Sequence, residues 1–326
     1  MRAATPEDQV RPMRILVTGG AGFIGSNLVH ALVSAGHVAF VIDDLSTGSV
    51  ANVHPSAHFR TLDILDPTVG DVMAEFAPDA VVHLAAQTDV QRSIVDPARD
   101  RAVNVNGTAA VARAAAAAGA RKVLSASSAA VYGDPEVLPL TETAAKRAAN
   151  PYGVSKLDAE MALARALEGT GIDFASMRFS NVYGPRQDWR GEGGVVAILG
   201  SRFASGQTPV VFGDGRQTRD FIYVGDVVAF ILEALETSSP LAGEMPDGPA
   251  YNVSTGVTTS VEQVASYLRA LSRVPLAVEH QLARDGDILH SVLDPAKAAR
   301  TLGWQARQPI EDGLAITWRW LAANLR

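Results

Sequence analysis

Cysteine is absent from the 326 residues, which removes disulfide staples, thiolate nucleophiles and thiolate metal sites together. With only seven scattered histidines besides, no metal centre is expected. No stretch reaches the roughly 20 uncharged apolar residues of a membrane-spanning helix, and Met1 to Pro12 lacks an apolar signal core. No membrane partner is expected, and the expected compartment is the cytoplasm. Basic residues number 28 against 35 acidic, the net charge is −7, and no Lys/Arg cluster stands out. A nucleic-acid partner would therefore have to overcome general repulsion.

What is present suits a soluble globule: 47% apolar and 19% charged residues, with 28 glycines and 17 prolines. The length suggests two lobes. Ile15 to Thr18 form a β-prone run, Phe23 to Ala35 carry helical periodicity stopped by Gly36, and Val38 to Ile42 are again strand-like. The alternation recurs through Phe59–Leu62, Ala80–Leu84, Lys122–Ala126 and Phe174–Arg178. Such a pattern predicts an α/β fold, a doubly wound parallel sheet covered on both faces. The alanine-rich stretch Thr108 to Ala118 reads as a helix, by propensity or as a small-residue face for close packing on a partner subunit. Beyond Asn181 the order loosens into Gly- and Arg-rich segments, the start of a smaller C-terminal lobe. Thr259 and Ser260 offer alternative capping boxes with Glu262 and Gln263. Ile310, Leu314, Trp318 and Leu321 give the last helix its apolar stripe. The expected division is a dinucleotide-binding domain over 13–180 with a returning segment near 223–255, a second lobe over 181–222 and 256–326, and a flexible tail over 1–12.

Gly19, Gly22 and Gly25 follow the first strand and open the first helix. Tight turns use glycine anyway, but at this place side-chain-free positions let backbone N–H groups and the helix N-terminus approach a pyrophosphate. Asp43 and Asp44 end the second strand about 20 residues on, where a carboxylate accepts from ribose hydroxyls and repels a 2′-phosphate. That favours NAD over NADP. The alternative is a solvated turn ahead of Ser46, Thr47 and Gly48.

Asn150 and Pro151 read as an N-cap and first helical residue, which puts Tyr152 and Lys156 one turn apart on one helix face. A nearby ammonium and a cationic nicotinamide would favour the phenolate of Tyr152, making it the candidate general base. Ser128, just past the fifth strand, is placed to hold the same substrate hydroxyl. His83, alone at a strand end, reads as packing rather than as a ligand.

Thr18–Gly25, Asp43–Gly48, Asp63-Ile64, His83–Gln87, Asn104–Thr108, Ser127–Gly133, Pro151–Lys156, Asn181–Arg186 and Arg219–Phe221 form an ordered set of landmarks. By these the chain resembles the extended short-chain dehydrogenase/reductases and, among them, the UDP-glucose (UDP-galactose) 4-epimerases, from Met13 to its end. The resemblance implies a Rossmann fold, NAD as cofactor and a UDP-hexose as substrate, with Ser128, Tyr152 and Lys156 as the catalytic trio. It places Phe23, Ile24, Leu45, Ser46, Thr47, Asp63, Ile64, Leu84, Ala85, Ala86, Gln87 and Asn104 along the cofactor with the glycines and aspartates. On the sugar side it implies Thr88 and Asn181, Phe212 beside uracil, Arg219 and Arg284 on the diphosphate, and Asp287. A surface ion pair is the alternative for each arginine. Ala129 and Ala130 stand where similar dehydratases carry an acidic pair, and Asn181 where uronate epimerases tend to carry threonine, which argues for a neutral hexose. Ser291 stands where family members restricted to glucose and galactose tend to carry tyrosine, so the pocket would admit an N-acetyl group unless another side chain closes it. The family also implies a homodimer. A reductase, a uronate epimerase and a non-catalytic NAD sensor are the other readings, and retention of both Tyr152 and Lys156 speaks against the last.

Overall fold

The structure is a computed structural model that describes residues 11–190, 194–242, 248–283 and 288–325. Strand β1 (Arg14–Thr18) is central, with Ile15, Leu16 and Val17 fully buried. Successive side chains of a strand point to opposite faces: Ile15 and Val17 join one apolar cluster and Leu16 another. A strand apolar on both faces needs cover on both. The elements that follow supply it: α1 (Phe23–Ser34), β2 (Val38–Asp43), β3 (His58–Thr61), α2 (Val69–Phe76), β4 (Ala80–His83), α3 (Val90–Val95), α4 (Pro97–Arg101), α5 (Thr108–Ala117), β5 (Lys122–Ser128), α6 (Pro151–Leu167) and β6 (Asp173–Phe179). The chain continues through β7 (Asn181–Tyr183), α7 (Val195–Ala204), β8 (Val210–Phe212), β9 (Thr218–Arg219), β10 (Phe221–Tyr223), α8 (Val224–Glu236) and β11 (Ala250–Val253). It ends with β12 (Thr259–Ser260), α9 (Val261–Ser272), β13 (Glu279–Gln281), α10 (Ala296–Leu302) and α11 (Ile310–Asn324).

Seven strands form one parallel sheet in the order β11-β6-β5-β4-β1-β2-β3. This is the Rossmann architecture the alternation predicts. Leu28 and Leu32 of α1 cover one face with Val227, Phe230 and Ile231 of α8. Met73 and Phe76 of α2, Val111 and Ala112 of α5, and Leu163 and Leu167 of α6 cover the other. The small side chains of α5 let it lie close against α2 and α6. The smaller C-terminal lobe has its own core, with Leu199 and Phe203 of α7, Val264 and Leu268 of α9, and Leu314 of α11. Of the alternative capping boxes the chain uses Ser260 with Gln263.

Order reverses between β1 and β4, where the chain first runs out to β3 and then returns on the other side. Ligands of open α/β sheets bind beyond the strand ends at such a reversal. The register puts Thr18 beside Ile42 and His83, and Ser128 beside Phe179, so the strands deliver their last residues along one edge.

Beneath that edge lies a buried ion pair. Arg178 of β6 meets Glu160 of α6 through two hydrogen bonds, Nε to Oε1 at 2.8 Å and Nη2 to Oε2 at 2.6 Å. Its Nη1 donates to Tyr132 Oη at 2.9 Å and to the Glu142 carbonyl at 3.0 Å. Burial works against the charge on Arg178, yet the bonds and charge of Glu160 outweigh it and hold the guanidinium above its ordinary value. Arg178→Met leaves a dry, unpaired Glu160 and is expected to cost roughly 3–5 kcal/mol, read from urea unfolding. A loss below about 1 kcal/mol, the scale of an exposed pair, would show that the network is not a structural anchor.

Candidate active site

Three glycines shape the turn between β1 and α1, for different reasons. A Cβ on Gly19, whose φ is +70°, would come 2.7 Å from the backbone nitrogen of Ala85, and one on Gly25 would come 2.1 Å from the Gly19 carbonyl. These two keep the turn tight and the helix against the strand. A Cβ on Gly22 would meet only the Gly19 carbonyl, at 3.3 Å, so its outer side is open to a ligand. No side chain caps α1 at Gly22. The first-turn N–H groups, those of half-buried Phe23 and Ile24 among them, have no intrahelical partner and suit a diphosphate.

The structure separates the two aspartates. Asp43 is buried, its Oδ2 accepting from Ala21 N at 2.9 Å and its Oδ1 from Leu45 N at 2.8 Å. Burial raises its pKa, and the two amides work in the opposite direction. A carboxylate has about four acceptor positions, so two remain for hydroxyl groups. Asp44 is exposed and holds Ser46 through its N and Oγ, the solvated-turn arrangement. Leu45 takes a left-handed φ of +60°, folding the loop over Asp43. Gly48 is glycine because a Cβ there would come 2.9 Å from Asp43 Oδ1. Thr47 is exposed at the tip. This glycine turn with an inward carboxylate fits an adenosine diphosphate carrying free ribose hydroxyls.

Across the reversal, Leu84, Ala85 and Ala86 are half-buried and Thr88 is exposed. Gln87 and Asn104 face one another: Asn104 Oδ1 accepts from Gln87 N at 2.9 Å, and Asn104 Nδ2 donates to Gln87 O at 3.0 Å and to Ser155 Oγ at 3.0 Å. Both side chains are tied into the protein and clamp the loop after β4 onto α6. Asp63 caps Leu65 N and lies 3.3 Å from Arg99, while Ile64 is buried beneath Gly107. His83 is buried between Thr18 Oγ1 at 2.7 Å and Thr108 Oγ1 at 3.1 Å. It is packing, as its solitary position suggests.

Asn150 caps α6 by accepting from Gly153 N at 2.9 Å, and Pro151 opens the helix. Ser128 ends β5, where its Oγ accepts from Ala130 N at 3.2 Å and stands near enough to the Tyr152 phenol to lower its pKa. Lys156 is buried and donates to the Ala126 carbonyl at 3.1 Å. Burial pushes Lys156 down to about 8, against the raising effect of Asp100 and Glu160. At Tyr152 burial raises the phenol, Ser128 lowers it, and Asp100 raises it further. The chain's own groups therefore hold the phenol protonated, because desolvation at this depth penalises the anion. Ser128, Tyr152 and Lys156 form one cluster.

In the second lobe Asn181 is exposed at the head of β7. Arg219 donates from Nη1 to the Thr218 carbonyl at 2.9 Å, and Ser291 N bonds the same carbonyl at 3.2 Å, so both flank one strand. Phe212 borders a cleft of about 690 Å³ that it shares with His280, Gln281 and Leu282. Arg284 and Asp287 lie outside the described residues. The sequence reading missed Asp100, Ser155 and Asp220. Asp220 is buried and accepts from Thr255 N, Thr255 Oγ1 and Gly256 N at 2.7–3.0 Å, fastening the strand that carries Arg219. The only hint of it was its place in the Arg219-Asp-Phe221 landmark.

Residues 15–254 match the family model described as the NAD dependent epimerase/dehydratase family. The chain belongs to that family. Membership makes it an enzyme with NAD as cofactor, in keeping with the glycine turn and Asp43. It is 40% identical over 311 residues to a UDP-glucose 4-epimerase of Mycolicibacterium smegmatis, covering 94% of this chain and 97% of the relative. A crystal structure of UDP-glucose 4-epimerase from Thermotoga maritima with UDP-glucose is 36% identical, with a TM-score of 0.90 and coverage of 96% and 100%. UDP-glucose 4-epimerase of Thermus thermophilus in complex with NAD is 35% identical, with a TM-score of 0.87 and the same coverage.

Burial, joined by the charge of Lys156, pushes His83 down to about 3. The folded enzyme keeps the ring neutral while the unfolded chain takes a proton below about pH 6.5. This contribution to stability is complete above that pH and is lost as pH falls towards about 3. Between pH 6.5 and 5 the loss should be about 2 kcal/mol, and His83→Asn should flatten that part of the profile. Equal slopes in urea titrations of both proteins would contradict the buried neutral imidazole.

Proposed function

We propose that the enzyme is a UDP-hexose 4-epimerase, interconverting UDP-glucose and UDP-galactose through a 4-keto sugar. The observation that carries this reading is the approach of Ser128, at the end of β5, to the Tyr152 phenol, with Lys156 one turn along the same helix and the side-chain-poor pair Ala129 and Ala130 beside them. One phenol that can exchange a proton with a hydroxyl is present, whereas eliminating water would need a further acid and base, which two alanines do not supply. The relatives described above are UDP-glucose 4-epimerases, which points the same way.

The glycine turn and the first turn of α1 would hold the diphosphate of NAD and Asp43 its adenosine ribose, with Leu84 to Ala86 on the facing side. Bound NAD supplies the hydride acceptor and donor at the sugar C4′ and, when oxidised, a positive charge beside the phenol. Beside that charge and the Lys156 ammonium the Tyr152 phenol would give its proton to solvent, and the phenolate would then take the 4′-hydroxyl proton and return it. Ser128 holds that hydroxyl, and Lys156 carries an ammonium next to the pair. Phe212, Arg219 and Asn181 are the groups of the second lobe that would receive the uracil, the diphosphate and the sugar side. The exposed apolar residues Ile94 and Val95 of α3 and Val154 and Met161 of α6 favour a homodimer through these helices.

Purified protein should interconvert the two sugars without added reductant, and Tyr152→Phe should lower kcat by at least about 10²-fold with NAD retained. Wild-type turnover in that variant would refute the assignment. Ser291 lies beside the Arg219 strand as a small, half-buried residue, so UDP-N-acetylglucosamine should also be epimerised. Ser291→Tyr should then suppress the N-acetylated substrate selectively, by roughly 10-fold or more for an overpacking of about 1–3 kcal/mol. Wild type that ignores the N-acetylated sugar, or a tyrosine variant that still turns it over unchanged, would end this extension.

A further inference from the structure

Asp100, on α4, is 1% exposed and is used by none of the steps above. Its Oδ1 accepts from Gln87 Nε2 at 2.8 Å and from Asn104 Nδ2 at 3.2 Å, while its buried Oδ2 has no hydrogen-bond partner among the described residues. An asparagine could accept the same two bonds through its own oxygen without burying a charge. A dry carboxylate oxygen left unpaired is costly, so packing alone does not account for an acid here. The two donors lead directly to the catalytic helix. Asn104 Nδ2 also donates to Ser155 Oγ, and Ser155 Oγ donates to the Tyr152 carbonyl at 3.0 Å. Asn104 itself lies in a widened helical turn, Ala102–Gly107, that joins α4 to α5, and such turns concentrate at functional sites.

We propose that Asp100 is a positioning residue of the reaction: it fixes the Gln87–Asn104–Ser155 clamp under Tyr152, and its unpaired oxygen supplies a fixed negative charge to the face of α6 that carries Tyr152 and Lys156. The assignment rests on the catalytic reading of those two residues. The charged and titratable groups acting on Lys156 are Asp100 from α4 and Glu160 from its own helix, and His83 at the end of β4 is coupled to it as a neutral ring. Tyr152 feels Ser128 and Asp100. Asp100 raises Lys156 and so keeps the lysine an ammonium against its burial, the charge that offsets the rise burial and Asp100 impose on the Tyr152 phenol.

The chain holds four lysines, Lys122, Lys146, Lys156 and Lys297, so carbon-13 labelling at lysine Cε gives few enough resonances to follow Lys156 directly. In Asp100→Asn its titration midpoint should fall by roughly one unit, kcat at pH 8 should drop about 10-fold, and KM should stay within about twofold. An unmoved midpoint overturns the electrostatic role, and wild-type kcat overturns the positioning role. Asp100→Glu keeps the charge on a longer arm. It should leave the Lys156 midpoint in place while still lowering kcat, and it decides the matter alone if the asparagine variant does not fold: a shifted midpoint or an undiminished kcat overturns the proposal. The resonance requires no sugar. Absence of wild-type epimerisation would therefore count against the proposed reaction, while the Lys156 midpoint would still decide the role of Asp100.

Discussion

The ion pair between Arg178 and Glu160 is the constraint on which the catalytic edge depends. Arg178 lies on β6 and Glu160 one turn beyond Lys156 on α6, and Ser127, the residue before Ser128, also bonds Glu160. One carboxylate, Glu160, thereby ties both β6 and the strand that ends in Ser128 to the helix that carries Tyr152. The remaining arm of Arg178 reaches Tyr132, whose hydroxyl donates to Asn252 Oδ1 at 2.7 Å, so the edge strand β11 is drawn into the same network. Two charges removed from water are tolerable only with geometry this complete. A lysine in place of Arg178 would lack the fork that engages both oxygens of Glu160.

Dryness carries through to the chemistry. Burial lowers Lys156 and His83 and raises Tyr152 and Asp43, so in each case it favours the neutral form. The charged groups beside them are few and fixed. Such a site resists the charge changes that water would otherwise buffer, and makes proton transfer depend on what binds there. His83, neutral and held between two threonines, adds shape without adding charge.

The parts legible in the sequence were those governed by local chemistry. The continuous apolar strands, the glycine turn, and the Asn150–Pro151 start of α6 need only neighbouring residues to specify them, and the structure places each as the sequence suggests. The three-residue strands β7, β8 and β10 were not legible, because so short a segment has no periodicity and takes its register from a distant partner. Thr259 and Ser260 could not be separated until the approach of β12 to β9 fixed which of them begins the helix. At the site, residue identity was readable and electrostatics was not. Lys156 suggested an activated phenol, but desolvation depends on how much protein stands over Tyr152, a quantity absent from a one-turn spacing. Asp100 escaped for a similar reason: its partner Gln87 approaches from another segment, the loop after β4.

The sheet is completed from far along the chain. By residue 180, six strands and the helices of one face exist, yet α8, which covers Leu28 and Leu32 on the other face, and β11, which closes the edge beside β6, come only after β10. A polypeptide emerging from the ribosome must therefore carry one apolar face of its nucleotide-binding half uncovered while more than forty further residues, including β7 to β10, are made. Domains commonly fold in order as they emerge. Here the connectivity forbids it: the first lobe cannot finish its core before β7 to β10 of the second have left the tunnel. Synthesis thus couples the two lobes into one folding event, and the exposed α1 face is the surface that a chaperone would guard in the interval.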